Sequence, residues 1–172
     1  MLQLRPLVAS DQHSLWHWLH IALWDPPPAP LRPIEILQHP GVRILVEGWG
    51  GPTDVGVVAV VDGKDAGACW MRLVPERQGL AYIDDETPQL GIALEPEFQN
   101  CGFGKLMMKA ALAAAWQHGY QKVSLTVHPE NPARSMYQAC GFKEAGLRSA
   151  YHLMVAESAA SQETPSKYLI RL

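Results

Sequence analysis

Between residues 99 and 105 the chain reads Gln99-Asn100-Cys101-Gly102-Phe103-Gly104-Lys105 and then enters a proline-free stretch rich in Ala, Leu, Met and Lys. Those are good helix formers, so the pattern predicts a helix over residues 104–118, with Gly119 just past its end as a left-handed cap. The first N–H groups of a helix have no partner within it, and the helix dipole favours negative charge there. Glycines at alternate positions let an anion approach the main chain and permit dihedrals that other residues resist. Lys105 in the first turn opposes the dipole but suits a neighbouring phosphate. The chemistry on offer is the binding of a phosphate-like anion, although a tight turn leading into a helix uses the same residues. The Lys-Ser/Thr pair of a P-loop is missing. So are the third glycine of a dinucleotide fingerprint and an acid on the following strand, expected at Lys122–Val127.

A second cluster follows: Asn131-Pro132-Ala133-Arg134-Ser135-Met136-Tyr137, then Gln138-Ala139-Cys140-Gly141-Phe142. Together with residues 90–105 it resembles the GNAT superfamily of acyl-CoA N-acyltransferases. That family carries Gln/Arg-x-x-Gly-x-Gly/Ala after its fourth strand, then an Asn upstream of a Tyr, then Gly-Phe. The resemblance is strongest over residues 90–142. It implies an α/β (α+β) fold: a mixed, mostly antiparallel sheet of six to seven strands with a splayed central pair, flanked by about four helices. It also implies acetyl-CoA as co-substrate and no metal. The pantetheine would lie in the gap between the fourth and fifth strands, bonded to the backbone of Ile92 and Leu94. The pyrophosphate would sit on the amides of Gln99, Asn100, Cys101, Gly102, Phe103, Gly104 and Lys105. Asn131 would bond the pantetheine arm, and Tyr137 would serve as general acid on the leaving thiolate. A phenol at ~10 is close enough to a thiol at ~8.5 for that transfer. A core aromatic on a short amphipathic helix is the other reading of Tyr137. Asn100 stands where many members have glycine, and Asn tolerates a left-handed dihedral.

The incoming amine must be neutral to attack. Some members use a glutamate on the fourth strand or at the exit of the fifth. Here those places hold Gln89 and Thr126, which take no proton near neutrality. The nearest acids are Asp84, Asp85 and Glu86, either a solvated loop or, in Glu86, the base. A water chain makes a side-chain base unnecessary. The implied function is direct transfer of acetyl from acetyl-CoA to a primary amine of a small molecule or peptide. The alternative is a non-catalytic acyl-CoA-binding or sensing module of the same fold. Many members dimerise, so a homodimer is among the expected states. Cys101 and Cys140 fall within the motifs, but no histidine base is implied beside either, so neither is expected as a nucleophile.

The elements that must position these groups are legible in outline. Residues 2–8 read as a strand, and Ser10 or Asp11 caps a helix running to about residue 24. Five prolines between Pro26 and Pro33 stop it and form a stiff, extended connector. A short helical turn over Ile34–Gln38 and an extended segment over residues 42–46 follow. Val55–Val61 and residues 66–73 form a hairpin around Asp62-Gly63. Residues 75–86 are a polar loop and residues 90–94 a strand. After Lys122–Val127, a helix starts at Pro132 and ends at Gly141. A strand from Phe142, a variable loop over residues 158–166 and a last strand over residues 168–172 complete the chain.

Composition bounds the rest. At 172 residues the chain has room for one domain with a real core. Its expected division is an acceptor-side half, residues 1–89, and an acetyl-CoA-binding half, residues 90–172. No apolar run is long enough to cross a membrane, and the opening residues, without a basic and then apolar pattern, lead to the expectation of no secretory signal. A net charge of −3 gives no pull towards nucleic acid or anionic lipid. Three distant cysteines read as reduced thiols of a cytoplasmic protein. Residues 1–86 carry 6 basic and 11 acidic side chains, and residues 87–172 carry 8 and 6. The basic half therefore suits the pyrophosphate, and the acidic half is expected to face a cationic amine. His13 and His17 stand one helical turn apart but lack a third metal ligand. Five of six tryptophans precede residue 71, as core aromatics or as the wall of an acceptor pocket.

Overall fold

The computed structural model describes residues 1–162. Its strands are β1 (Leu2–Pro6), β2 (Val55–Val61), β3 (Lys64–Arg72), β4 (Gln89–Leu94), β5 (Lys122–Val127), β6 (Lys143–Arg148) and β7 (Tyr151–Glu157). Its helices are α1 (Gln12–Ala22), α2 (Pro40–Arg43), α3 (Phe103–His118), α4 (Ala133–Ala139) and α5 (Ala159–Gln162). The seven strands form one sheet in the order β1-β2-β3-β4-β5-β7-β6. Every neighbouring pair is antiparallel except β4 and β5.

Both faces of the sheet are covered, and the sequence of β2 shows why. A strand buried on both faces reads as a continuous apolar run rather than an alternation, as Val55–Val61 does. Val57 and Ala59 pack with Met107, Met108 and Leu112 of α3, while Val58 packs with Leu15 and Leu19 of α1. Cys69 and Met71 of β3 join the α3 face, and Ala68 and Trp70 the α1 face. The β2–β3 turn is Asp62-Gly63, with φ of 49° and 82°. Positive φ at both central residues is the geometry that matches the twist of a two-residue hairpin.

The parallel pair opens almost at once. β4 and β5 share a single register pair, Gln89 with Ser124. Both side chains are buried and tie down the preceding loop. Gln89 accepts from the N–H of Ala81 and donates to the carbonyl of Gln78, and the Ser124 hydroxyl donates to the carbonyl of Ala81. The strands are thus pinned at their N-terminal ends and diverge beyond.

Three expectations change. Residues 42–46 are helical turns, not extended chain. His39 Nδ1 accepts from the N–H of Gly41, and Pro40 occupies the first turn, a start signal that outweighs the alternating Val42, Ile44 and Val46. Residues 142–157 form a hairpin rather than a single strand, turning at Ser149 (φ 55°). β6 is exposed along most of its length, so it lacks the apolar period that marks a strand. Asp11 does not cap α1 with its side chain. It reaches back to the N–H of Val8 and pairs with Arg5. The strand expected over residues 168–172 lies outside the described residues. Among the described residues, no helix is long and apolar enough to cross a membrane and no group of side chains is arranged to hold a metal.

Candidate active site

The gap between β4 and β5 is the starting point. Pro88 points its carbonyl at β5, where it accepts from the N–H of Ser124. Main-chain direction alternates along a strand, so the polar groups of Leu90, Ile92 and Leu94 face the same way, into a gap with no further β5 partner. The other edge of β4 is paired with β3 as far as Gly67 and Leu94. Gln99 donates from Nε2 to the carbonyl of Leu94 at 2.9 Å.

The turn into α3 has the expected shape. Asn100 is left-handed at φ 59°, as is Gly102 at φ 82°, and Gly102 is the N-cap. A cavity of about 400 Å³ lies against this turn. Its walls include Ile92, Leu94, Gln99, Asn100, Gly102, Gly104 and Lys105, with Asn131 and Tyr137 from the α4 side. Cys101 and Phe103 do not line it: Cys101 is exposed, and Phe103 packs against the core. Asn131 accepts at Oδ1 from the N–H of Ala133, which opens α4 and leaves the Asn131 amide group to donate.

A second cavity, of about 290 Å³, adjoins the first. Trp24, Ile92, Asn131 and Tyr137 belong to both. Tyr137 therefore stands where two chambers meet. It is 7% exposed, packs edge-on to Phe142, and its phenol is pushed well above the ordinary range, first by burial and then by Cys69. It stays protonated throughout the neutral range.

The second chamber draws on parts that were not anticipated. Arg32 of the proline connector, His128 at the exit of β5 and Tyr151 of β7 line it alongside Trp24. Arg32 was legible only as a lone cation among prolines, and Tyr151 depends on the unforeseen β6–β7 hairpin. Two expectations fail here. Glu86 is exposed and lines neither chamber. Nor does any Asp or Glu line the second chamber among the described residues, so the acidic first half does not face into it. Of the early tryptophans only Trp24 reaches the chambers; Trp18, Trp49 and Trp70 are buried in the core.

The model of the Acetyltransferase (GNAT) family matches residues 15–142. The chain belongs to the GNAT acetyltransferase family. Over 87 residues, 48% of this chain and 60% of the relative, it is 37% identical to the ribosomal protein bS18-alanine N-acetyltransferase of Haemophilus influenzae. The match thus spans less than two thirds of that relative. Among solved GNAT structures it is similar to the PaiA N-acetyltransferase of Thermoplasma acidophilum in complex with coenzyme A. That likeness has a TM-score of 0.65 at 16% identity, covering 92% of this chain and 99% of that one. It is also similar to the ribosomal-protein-S18-alanine N-acetyltransferase of Escherichia coli, with a TM-score of 0.61 at 16% identity, covering 91% and 94%. At these identities the structural likeness establishes the fold.

Proposed function

We propose that the protein is an N-acetyltransferase that moves an acetyl group from acetyl-CoA to a primary amine, the amine attacking the thioester directly. The observation that carries this reading is the pair of adjoining chambers with Tyr137 at their junction. One chamber has the features an acyl-CoA needs: a strand edge at Ile92 and Leu94 with no β5 partner for the pantetheine and left-handed residues before α3 for the pyrophosphate. The loop residues from Gln99 to Lys105 hold the phosphates, Cys101 and Phe103 through main-chain N–H groups alone, and Asn131 donates to the pantetheine arm. The other chamber takes the amine of a small molecule or peptide. Residues between Ile92 and Tyr137 supply most of the acyl-CoA side, whereas the acceptor side draws on both halves. The three free cysteines support a cytoplasmic, reducing setting.

The C–N bond forms as the amine nitrogen attacks, and the C–S bond breaks. Tyr137 gives its proton to the departing sulfur. Burial makes the phenol a weaker acid, but the same dry surroundings raise the proton affinity of the thiolate. With Glu86 outside the chambers, the amine loses its proton to water. Coupled thiol release over an amine panel tests the reading: release above background hydrolysis is expected for at least one amine, and none for any amine favours the non-catalytic module.

Gly102→Val should weaken acetyl-CoA binding. A Cβ at Gly102 meets nothing within 4 Å, so the fold has room for it. The cost is the left-handed backbone, on the order of 1–3 kcal/mol for a non-glycine residue, and a side chain in the phosphate cradle. The dissociation constant for acetyl-CoA, read by calorimetry, should rise about tenfold or more. An unchanged constant would remove the loop from the site.

A further inference from the structure

The second chamber is rich in hydrogen-bond donors and lacks acids, which is unusual company for a cationic acceptor. A polyamine or other polycation would enter beside the Arg32 guanidinium and find no Asp or Glu among the lining residues described. The donors are placed with care. Arg32 gives Nε and Nη2 to the two oxygens of Asp25 at 2.8 and 2.9 Å, and a second Nη2 hydrogen bond to the Tyr151 hydroxyl at 3.0 Å. Its Nη1, with two N–H donors, has no partner among the described residues. The Tyr151 oxygen accepts from Arg32, so its own hydrogen is available to donate. His128 accepts at Nδ1 from the N–H of Glu130 at 3.0 Å, which puts the proton of the neutral ring on Nε2. The His128 ring lies 5.9 Å from the ring of Tyr151 and 5.6 Å from that of Trp24, centroid to centroid. Arg32 itself is held firmly: its carbonyl meets His20 Nε2 at 2.6 Å, anchoring the proline connector to α1.

We infer that the acceptor carries a carboxylate close to its amine, as a free amino acid does, and that Arg32, Tyr151 and His128 hold that carboxylate. The inference rests on the acetyl-transfer reading and narrows its acceptor. Asp25 offsets the charge of Arg32, so the oxyanion is held by directed N–H and O–H donors rather than by net charge, an arrangement suited to a planar carboxylate. Asp25 does not compete for the amine, because both of its oxygens are engaged and it does not line the chamber. A chamber of about 290 Å³ is small for a ligand pocket, which favours a small acceptor. Trp24 supplies an aromatic wall for its apolar part.

The test compares free amino acids with their carboxamides, with spermidine and with tripeptide amides that begin with Asp or Glu. Two readouts are used: thiol release at saturating acetyl-CoA, and calorimetric binding to the CoA-saturated protein. For the preferred amino acid, kcat/KM should exceed that of its carboxamide by at least about tenfold, the range of a hydrogen bond to a charged group. Arg32→Gln should shrink that ratio to less than about threefold through KM, with affinity for CoA unchanged. Tyr151→Phe, which removes only a hydroxyl, should produce a smaller loss in the same direction if Arg32→Gln does not fold. Preference for the acid-led tripeptides would keep the carboxylate recognition and place its source in a peptide. Carboxamides or spermidine used and bound as well as the free acids would overturn the inference. Carboxylate-selective binding without any thiol release would uphold the carboxylate site while sinking the transferase reading and, with it, the role of its ligand as acceptor.

Discussion

Tyr137→Phe lowers kcat by about a hundredfold, the usual worth of a well-placed general acid, and leaves the dissociation constant of acetyl-CoA nearly unchanged. The expectation follows from where the hydroxyl sits. The ring is buried on α4 against Phe142, so the variant keeps its packing and loses only the phenol oxygen of a residue that lines both chambers. In the proposed reading, acetyl-CoA is held by the β4 edge and the α3 turn, which the substitution does not touch. The pH profile gives a second check. Burial holds the phenol well above its ordinary range, so Tyr137 keeps its proton through neutral and mildly alkaline pH and contributes no alkaline fall in rate there. If the variant turns over as fast as the parent in single-turnover measurements, Tyr137 has no part in the chemistry.

Asp54→Ala should cost about 3–5 kcal/mol of stability, the penalty for stranding one partner of a buried ion pair. The Asp54 and Arg72 side chains are only 3% and 12% exposed. Arg72 grips both carboxylate oxygens at 3.0 and 2.7 Å and also donates to the carbonyls of Ile44 and Glu47. Its guanidinium lies 5.4 Å from the Trp49 ring centroid. Asp54 in turn accepts from the N–H groups of Gly50 and Gly51. Removing the carboxylate leaves a buried cation and frees the loop between α2 and β2. Equilibrium urea unfolding measures the effect; a loss under about 1 kcal/mol would place the pair with ordinary exposed salt bridges. Burial alone would raise the Asp54 carboxyl, but the Arg72 hydrogen bonds and charge and the glycine N–H groups outweigh it and hold it below the ordinary range. A depressed carboxyl stabilises the fold above the unfolded-state value of about 3.9 and loses that contribution as pH falls through the folded value. The stability gap between the parent and Asp54→Asn should therefore narrow in acid.

The chemistry-bearing loop was legible because its signals are local. Asn100 and Gly102 meet backbone demands within a few residues of themselves, and the turn into α3 takes the expected left-handed form. The β2–β3 hairpin was legible for the same reason. The misreadings have the opposite character. β6 shows no apolar period because it is an exposed edge, and residues 42–46 alternate like a strand while a His39-Pro40 start signal makes them helical. Glu86 is near β4 in sequence, but the loop that Gln89 and Ser124 tie down leaves it in solvent.

By itself the sequence determined the family, the order of the main elements and the left-handed turn into α3, since helix starts, caps and tight turns are governed by neighbouring residues. Only the tertiary structure decided the second chamber. Arg32, His128 and Tyr151 come from a connector, a strand exit and a distant hairpin, and the Arg32–Tyr151 hydrogen bond spans 119 positions. Their convergence depends on how far β4 and β5 diverge beyond Gln89 and Ser124 and on how the proline connector is tied to His20 and Tyr151 through Arg32. Both are packing outcomes, and neither leaves a periodic mark on the chain.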